Sequence, residues 1–257
     1  MKKLIAFDLD GTLAPSKSTL PRRMAGLLDE LLEKFQVCII SGGKYELFQH
    51  QVLSQLTKSS RLLKNLHLMP TSGTRYFSYD ENIDDWRLEY AENLTQDQKV
   101  KIIKALEEGL EESGHKADKT YGQTIEDRDS QITLSMLGQE IVAELGDEGV
   151  RIKEAWDPDG AKKLKIHSIV APKIPEFEVR ASGATSIDVT KPGIDKAYGM
   201  EKLMLATGLS KQDILFLGDK IIEGGNDYAV YKIGIDCIAV RNWEDTAYVI
   251  EGITKVI

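Results

Sequence analysis

Short apolar runs of strand length alternate with segments of helical spacing from residue 3 to residue 73, and this alternation limits the fold more than any other feature of the chain. Residues 3–9 form the first apolar run. In LPRRMAGLLDELLEK, residues 20–34, the apolar positions Leu20, Met24, Leu27, Leu28, Leu31 and Leu32 follow the period of a helix. FQVCIISGG reads as a second buried strand ending in Ser-Gly-Gly, KYELFQHQVLSQL as a second helix, and LHLMPTSG as a third strand with its turn. Strand, helix, strand, helix, strand predicts a parallel sheet with helices packed on it.

The rhythm breaks near residue 82. YFSYDENIDDWRLEY alternates aromatic and polar residues, as a hairpin does rather than a buried parallel strand. Thr95 stands where it can cap QDQKVKIIKALEEGLEES, whose Val100, Ile103, Leu106 and Leu110 predict one apolar face. QTIEDRDSQITLSML and EFEVRASGATSIDVT each read as two short strand pieces, with a helix over 158–171 between them. Residues 82–188 are therefore expected to form a separate α+β domain with an antiparallel sheet. The parallel pattern then resumes with the helix KAYGMEKLMLATG, the strands DILFLGD and DCIAVRN, and a last helix over 244–251. The expected fold class is α/β, a Rossmann-like parallel-sheet core (1–81 plus 189–257) split by the inserted domain at 82–188.

Bulk properties narrow the function. With 257 residues the chain can bury a large core, and 42% hydrophobic with 29% charged residues is ordinary for a globular protein. A net charge of −8 argues against a nucleic-acid partner, which calls for a clustered basic face, but it leaves room for a small basic pocket holding an anion. No apolar run approaches the length of a membrane span, and MKKLIAFDLD meets an acid too early for a signal peptide, so the expectation is a soluble, cytoplasmic protein without a membrane partner. Cys38 and Cys237 sit in the apolar runs QVCII and GIDCIAV, where buried thiols are expected rather than a disulfide or zinc site.

Ligands of open parallel sheets gather beyond the carboxyl ends of the strands. Four such ends here carry polar residues: Asp8-Leu9-Asp10-Gly11-Thr12, Ser41-Gly42-Gly43, Ser72-Gly73 and Gly218-Asp219. Asp8 and Asp10, two positions apart, leave the same face wherever the strand stays extended. Carboxylates so close repel unless a cation or shared proton relieves them, and Asp219 adds a third acid. Such a set suits Mg²⁺, which takes few carboxylates together with water and a substrate phosphate. One aspartate can then attack phosphorus and the other exchange a proton with the leaving oxygen. Gly11 permits close approach of a ligand, and Ser41 with the amides after Gly42 and Gly43 at a helix start offers an anion site; Thr12 lies in the same turn as Gly11. Lys196, following Pro-Gly at the start of a helix, is the candidate cation for the phosphate, with Lys191 as its rival.

DLDGT, SGG, GIDKAYG and GDKIIEGGND together resemble the four signatures of the haloacid dehalogenase superfamily of phosphotransferases, and the placement of the insertion is similar to the subgroup with a C2-type α/β cap. The resemblance spans the chain. It implies that Asp8 is the nucleophile and Asp10 the general acid/base, that Asp8, the Asp10 carbonyl and Asp219 bind Mg²⁺, that Ser41 and Lys196 hold the phosphoryl group, and that Asn226 and Asp227 brace the metal site and Lys196. Within the subgroup, IEDR, GDK followed by GGND, and ATSIDVTKPGIDKAYGM are most similar to eukaryotic-type phosphomannomutases. By that likeness Arg128, Ser186 and Asp188 are cap contacts for the substrate.

Other positions depart from the mutase pattern. Lys17 and Tyr121 stand where arginines are expected, and Gln139 replaces another in SMLGQ. Arginine forks grip phosphate through paired, charge-assisted hydrogen bonds. A mutase must hold a bisphosphorylated sugar, so their loss favours a phosphatase acting on a small phosphorylated metabolite, a sugar phosphate, with phosphomannomutase as the alternative and a non-catalytic sugar-phosphate-binding module as a minor one. A homodimer through the cap is the expected assembly.

Overall fold

A strand without a polar residue belongs inside a sheet, and β1 (Leu4–Phe7) lies there, buried along its length with a strand on either side. The computed structural model describes residues 1–256. From β1 the chain passes through α1 (Arg22–Leu32), β2 (Gln36–Ile40), the single turn α2 (Tyr45–Phe48), a π-helical turn at Gln49–Leu53, α3 (Ser60–Leu63) and β3 (Leu66–Met69) to the hairpin of β4 (Arg75–Asp80) and β5 (Asp85–Ala91). Residues 92–193 form a unit of their own, with α4 (Gln96–Ser113), β6 (Ile125–Asp127), β7 (Gln131–Ser135), α5 (Ile141–Leu145), α6 (Asp147–Trp156), α7 (Ala161–Val170), β8 (Glu178–Ser182) and β9 (Ser186–Thr190). The first unit is completed by α8 (Lys196–Thr207), β10 (Ile214–Gly218), α9 (Tyr228–Lys232), β11 (Asp236–Ala239) and α10 (Trp243–Val256).

The sheet of the first unit runs β11-β10-β1-β2-β3-β4-β5, parallel from β11 to β3. The chain moves outward from β1 through β2 to β3 and later returns to β10 on the other side. Strand order therefore reverses at β1, the place where such sheets open a crevice for ligands. Successive side chains alternate between faces: Ile5, Phe7, Val37 and Ile39 join Met24, Leu28 and Leu31 of α1 and Ile250 of α10 in one cluster, while Leu4, Ala6, Cys38 and Ile40 join Met200 and Leu203 of α8 and Val230 of α9 in another. Helices on both faces explain why these strands are apolar at every position.

Three details differ from the sequence reading. The hairpin expected to open the inserted domain instead extends the core sheet: β4 pairs antiparallel with β3, setting Leu68 opposite Phe77, and Tyr45 stacks on Phe77 with ring centroids 3.9 Å apart. The second unit accordingly runs 92–193 rather than 82–188. The single helix expected over KYELFQHQVLSQL is a short α-turn followed by the π-turn. In α4, capped by Thr95 and Gln98 in a reciprocal pair, Val100 is 57% exposed and the inward face is Ile102, Ala105, Leu106 and Gly109. Gly109 lets α7 come close, since a Cβ there would sit 2.3 Å from Val170 Cγ2.

The second unit has a four-stranded antiparallel sheet, β6-β7-β9-β8, whose Ile132, Leu134, Ile187 and Val189 pack with Ile102 and Leu106 of α4 and Ile166 and Val170 of α7. Cys38 and Cys237 are free thiols, both pushed up in pKa by burial. No described helix is long and apolar enough to cross a membrane.

Candidate active site

The end of β1 places Asp8. Its N–H still donates to the Leu217 carbonyl of β10, at 3.0 Å, so the residue leaves the sheet between two strand ends. The chain then folds over the Leu9 carbonyl, which accepts the N–H groups of Leu13 and Ala14. Gly11 makes the turn at φ 86°, where a side chain would be strained. It also leaves room for the neighbouring strand's acid, because a Cβ on Gly11 would lie 2.8 Å from Asp219 Oδ2.

Lys196 enters from α8. Asp195 caps that helix by accepting the Tyr198 N–H at 2.9 Å, and Lys196 is its first residue. A cation is disfavoured at a helix N-terminus, yet Lys196 is only 2% exposed there. Two carboxylates hold it: Nζ donates to Asp8 Oδ1 and to Asp227 Oδ1, each at 2.5 Å. Asp227 is fully buried, and its Oδ2 accepts the Lys220 N–H at 2.9 Å. Gly218 permits this, since a Cβ there would meet Asp227 Oδ2 at 2.4 Å. Burial pushes the Asp8 carboxyl up to about 7, with Lys196 pulling it down and Asp227 adding to the rise. Burial by itself would lower the Lys196 ammonium, but the facing Asp8 and Asp227 carboxylates outweigh it and hold it raised.

Negative charge exceeds positive in this cluster. Asp8, Asp219 and Asp227 each bring a carboxylate oxygen within 4.8 Å of the others, against the single buried ammonium of Lys196. Lys220 Nζ reaches Asp219 Oδ2 at 3.0 Å from an exposed position. An all-oxygen donor set with uncompensated charge fits a small, hard divalent cation such as Mg²⁺.

Two further residues are expected at the metal site, Asp10 through its main-chain carbonyl and Asn226 as a brace. The Asp10 carboxylate turns to the loop that follows it, where Oδ1 accepts the Lys17 N–H at 2.5 Å; burial raises its pKa, and the Lys17 N–H opposes the rise. Asn226 is exposed.

The remaining candidates divide by location. Thr12, fully buried, points Oγ1 at Asp8 Oδ2, 3.4 Å away. Ser41 is buried at the end of β2, but its Oγ accepts the Gly43 N–H at 3.2 Å, so that amide turns to Ser41 instead of opening toward an anion, and the α-helix beyond is a single turn. Gly42 is half-buried beside it. Lys17, at φ 56°, serves Asp10 through its backbone. Lys191 is paired with Glu92, at 3.9 Å, within the second unit. Sequence reasoning passed over Gln51, a buried glutamine next to Asp10; its signal is an amide amid the apolar residues of LFQHQVL.

In the second unit the strands that bury Ile132, Leu134, Ile187 and Val189 against helices turn Thr133, Ser135, Ser186 and Asp188 to the opposite face. Polar side chains on this face are partnered within the unit. Arg128 Nε donates to Glu126 Oε2 at 2.8 Å, Thr133 Oγ1 donates to Asp188 Oδ1 at 2.7 Å, and Gln139 Nε2 donates to the Thr124 and Thr133 carbonyls.

Comparison with known proteins adds a lineage to this geometry. The profile of the haloacid dehalogenase-like hydrolases matches residues 5–247. A phosphomannomutase of Encephalitozoon cuniculi is 24% identical over 95% of this chain and 91% of its own length, and one from Spinacia oleracea is 28% identical over 88% and 84%. Among solved structures, an IMP-bound, N-terminally truncated IMP-nucleotidase of Plasmodium falciparum superposes with a TM-score of 0.66 at 20% identity, covering 99% of this chain and 68% of that one. A haloacid dehalogenase-like hydrolase from Bacteroides thetaiotaomicron superposes equally well, with a TM-score of 0.66 at 16% identity over 98% and 100%.

Proposed function

The chain belongs to the haloacid dehalogenase-like hydrolases, and from that premise we propose that it is a Mg²⁺-dependent phosphatase of a small phosphorylated metabolite, a sugar phosphate, working through an aspartyl-phosphate. The observation that carries the proposal is the buried Asp8–Lys196–Asp227 cluster with Asp219 beside it. Asp8, Asp219 and Asp227 would hold the metal, which when bound screens the carboxylates and the phosphoryl oxygens from one another. Lys196 keeps the Asp8 carboxylate oriented by one of its oxygens and offers positive charge to the phosphoryl group. An Asp8 oxygen attacks phosphorus, the ester P–O bond breaks, and Asp10 gives its proton to the leaving oxygen. Water then attacks the phosphorus, the bond to Asp8 breaks, and Asp10 takes the proton back. Arg128, Ser186 and Asp188 are assigned to substrate selection.

Phosphomannomutase is the second reading, and the names of the relatives favour it. Against it, Arg128 is already paired with Glu126, and Gln139 offers no charge, so the second unit lacks the surplus of arginine that a second phosphate calls for. A release screen across sugar phosphates with Mg²⁺ tests the proposal. Phosphate freed from a sugar phosphate and lost in EDTA supports it; exchange of mannose 1-phosphate with mannose 6-phosphate, stimulated by a sugar bisphosphate and without net phosphate release, replaces it with the mutase.

A further inference from the structure

Gln51 sits in the π-helical turn Gln49–Leu53, 1% exposed, and among the described residues neither its Oε1 nor its Nε2 has a hydrogen-bond partner. A primary amide brings two donors and an acceptor into the interior, and leaving them unpaired lowers stability. The π-turn is itself rare and concentrates at functional sites. An apolar residue on a regular helix would avoid both costs.

What the amide faces is Asp10. It lies beside that carboxylate, though short of a closed hydrogen bond. The backbone ties the two together. The Gln51 carbonyl accepts the Leu20 N–H at 2.9 Å, anchoring the π-turn to the loop after Asp10. From that same loop the Lys17 N–H reaches Asp10 Oδ1 at 2.5 Å, and Lys17 adopts φ 56°, a left-handed conformation uncommon for a residue with a side chain. One carboxylate oxygen is thus held by backbone, and the other is left to exchange a proton.

The geometry points to Gln51 as a positioning residue for Asp10, its amide N–H steadying the carboxylate so that the oxygen not held by Lys17 faces the leaving group and, later, the attacking water. This role rests on the phosphatase reading. In the first half-reaction the proton passes from Asp10 to the leaving oxygen as the ester bond breaks. In the second it passes from water to Asp10 as the Asp8–phosphorus bond breaks. Gln51 exchanges no proton in either.

Leaving groups separate positioning from a structural role. p-Nitrophenolate departs as a stable anion and needs no proton, whereas a sugar alkoxide does. In Gln51→Met, of similar size without polar atoms, and in Gln51→Ala, single-turnover release of p-nitrophenolate with enzyme in excess stays within about twofold of wild type. Steady-state release from the sugar phosphate turned over fastest falls about tenfold in kcat with little change in KM, a part of the effect that a proton-transferring group supplies. The thermal midpoint of Gln51→Met is unchanged or higher, because two unpaired buried atoms are gone. Wild-type kcat in Gln51→Met overturns the role. So does an equal fall for both substrates accompanied by a lower midpoint. Wild-type protein that frees neither p-nitrophenolate nor phosphate overturns the phosphatase reading and this role with it, an outcome distinct from failure of the role alone.

Discussion

The two units both bury charge, and they do so in opposite ways. In the first, Asp8, Asp227 and the nearby Asp219 surround a single buried ammonium, leaving negative charge in excess. In the second, Arg128 meets Glu126, Asp188 meets a hydroxyl, and Gln139 is spent on backbone carbonyls. A buried surplus of negative charge is costly unless something arrives to meet it, and on the proposed function a metal cation would do so. A polar face whose acids outnumber its cations offers hydrogen-bond acceptors, which suits hydroxyl groups better than a second phosphate.

The largest break in this contrast is Asp8→Asn. An amide at that position neither attacks phosphorus nor supplies its share of charge, and turnover is expected to fall by on the order of 10⁴-fold or more, as when a nucleophile is removed elsewhere. Phosphate release by purified variant and wild type, measured side by side with Mg²⁺, checks it; an Asp8→Asn protein with more than a tenth of wild-type turnover removes Asp8 from the chemistry. EDTA on the wild type should give a comparable loss that Mg²⁺ restores.

Lys196→Met comes next and acts on stability. Removing the one buried cation strands Asp8 and Asp227, and deleting one partner of a buried ion pair costs about 3–5 kcal/mol. Urea denaturation without metal measures this. Arg128→Met, which strands Glu126 on a partly wetter face, should cost less than half as much. Equal losses in the two variants would erase the distinction between the units.

A third comparison lies inside the first unit, where His67 of β3 is also buried but kept neutral. Tyr76 Oη is 2.8 Å from its Nδ1 and Gln36 Oε1 is 3.1 Å from its Nε2, an arrangement in which the neutral ring accepts from one and donates to the other. Burial lowers its pKa from 6.5 to about 4. The unfolded chain therefore takes up a proton between these values while the folded one does not. The contribution of His67 to stability is complete above about pH 6.5 and is lost as the pH falls toward 4, a change of about 3 kcal/mol. Denaturation curves across that window should be flatter for His67→Gln by this amount; parallel curves would show that the ring titrates normally in the fold.

What could be read from the sequence followed from how local its cause was. Asp8 and Asp219 stand just beyond the ends of parallel strands, and a strand end is visible as an apolar run meeting polar residues; Lys196 follows a Pro-Gly turn at a helix start, whereas Asp227, at the start of α9, was reached only through the family resemblance. Other features depend on partners distant in sequence. The alternation of β4 and β5 marks a hairpin but does not say which sheet it joins, and pairing with β3 decided that. Spacing chose Val100 for the inward face of α4, whereas the close approach to α7 is made at Gly109, a small residue that hydropathy undervalues and close helix approach requires. The spacing of Asp10 from Asp8 does not say that the turn after β1 swings its carboxylate to the Lys17 N–H. Gln51 was unread because nothing in its neighbours announces a π-turn.

The smallest effect sharpens the contrast most. Asp188, on β9, accepts the Thr133 hydroxyl and has a second oxygen with which to accept from a substrate hydroxyl. Asp188→Asn keeps the shape and removes the charge. If the second unit selects hydroxyls, this variant should raise KM for the preferred sugar phosphate about fivefold to tenfold, the difference between a hydrogen bond to a charged group and one to a neutral group. It should leave kcat within about twofold and p-nitrophenyl phosphate, which has no hydroxyls to lose, unaffected. Arg128→Met should do the same through Glu126, which would lose the guanidinium that orients it. Both substrates weakening together would mean that the second unit reads the phosphate, as a mutase does, and the Arg128–Glu126 pair would then have to be opened by the substrate at a cost visible as a steep salt dependence of KM. A sugar-specific KM effect without that salt dependence keeps the division of labour between a first unit that handles the phosphoryl group and a second that reads hydroxyls.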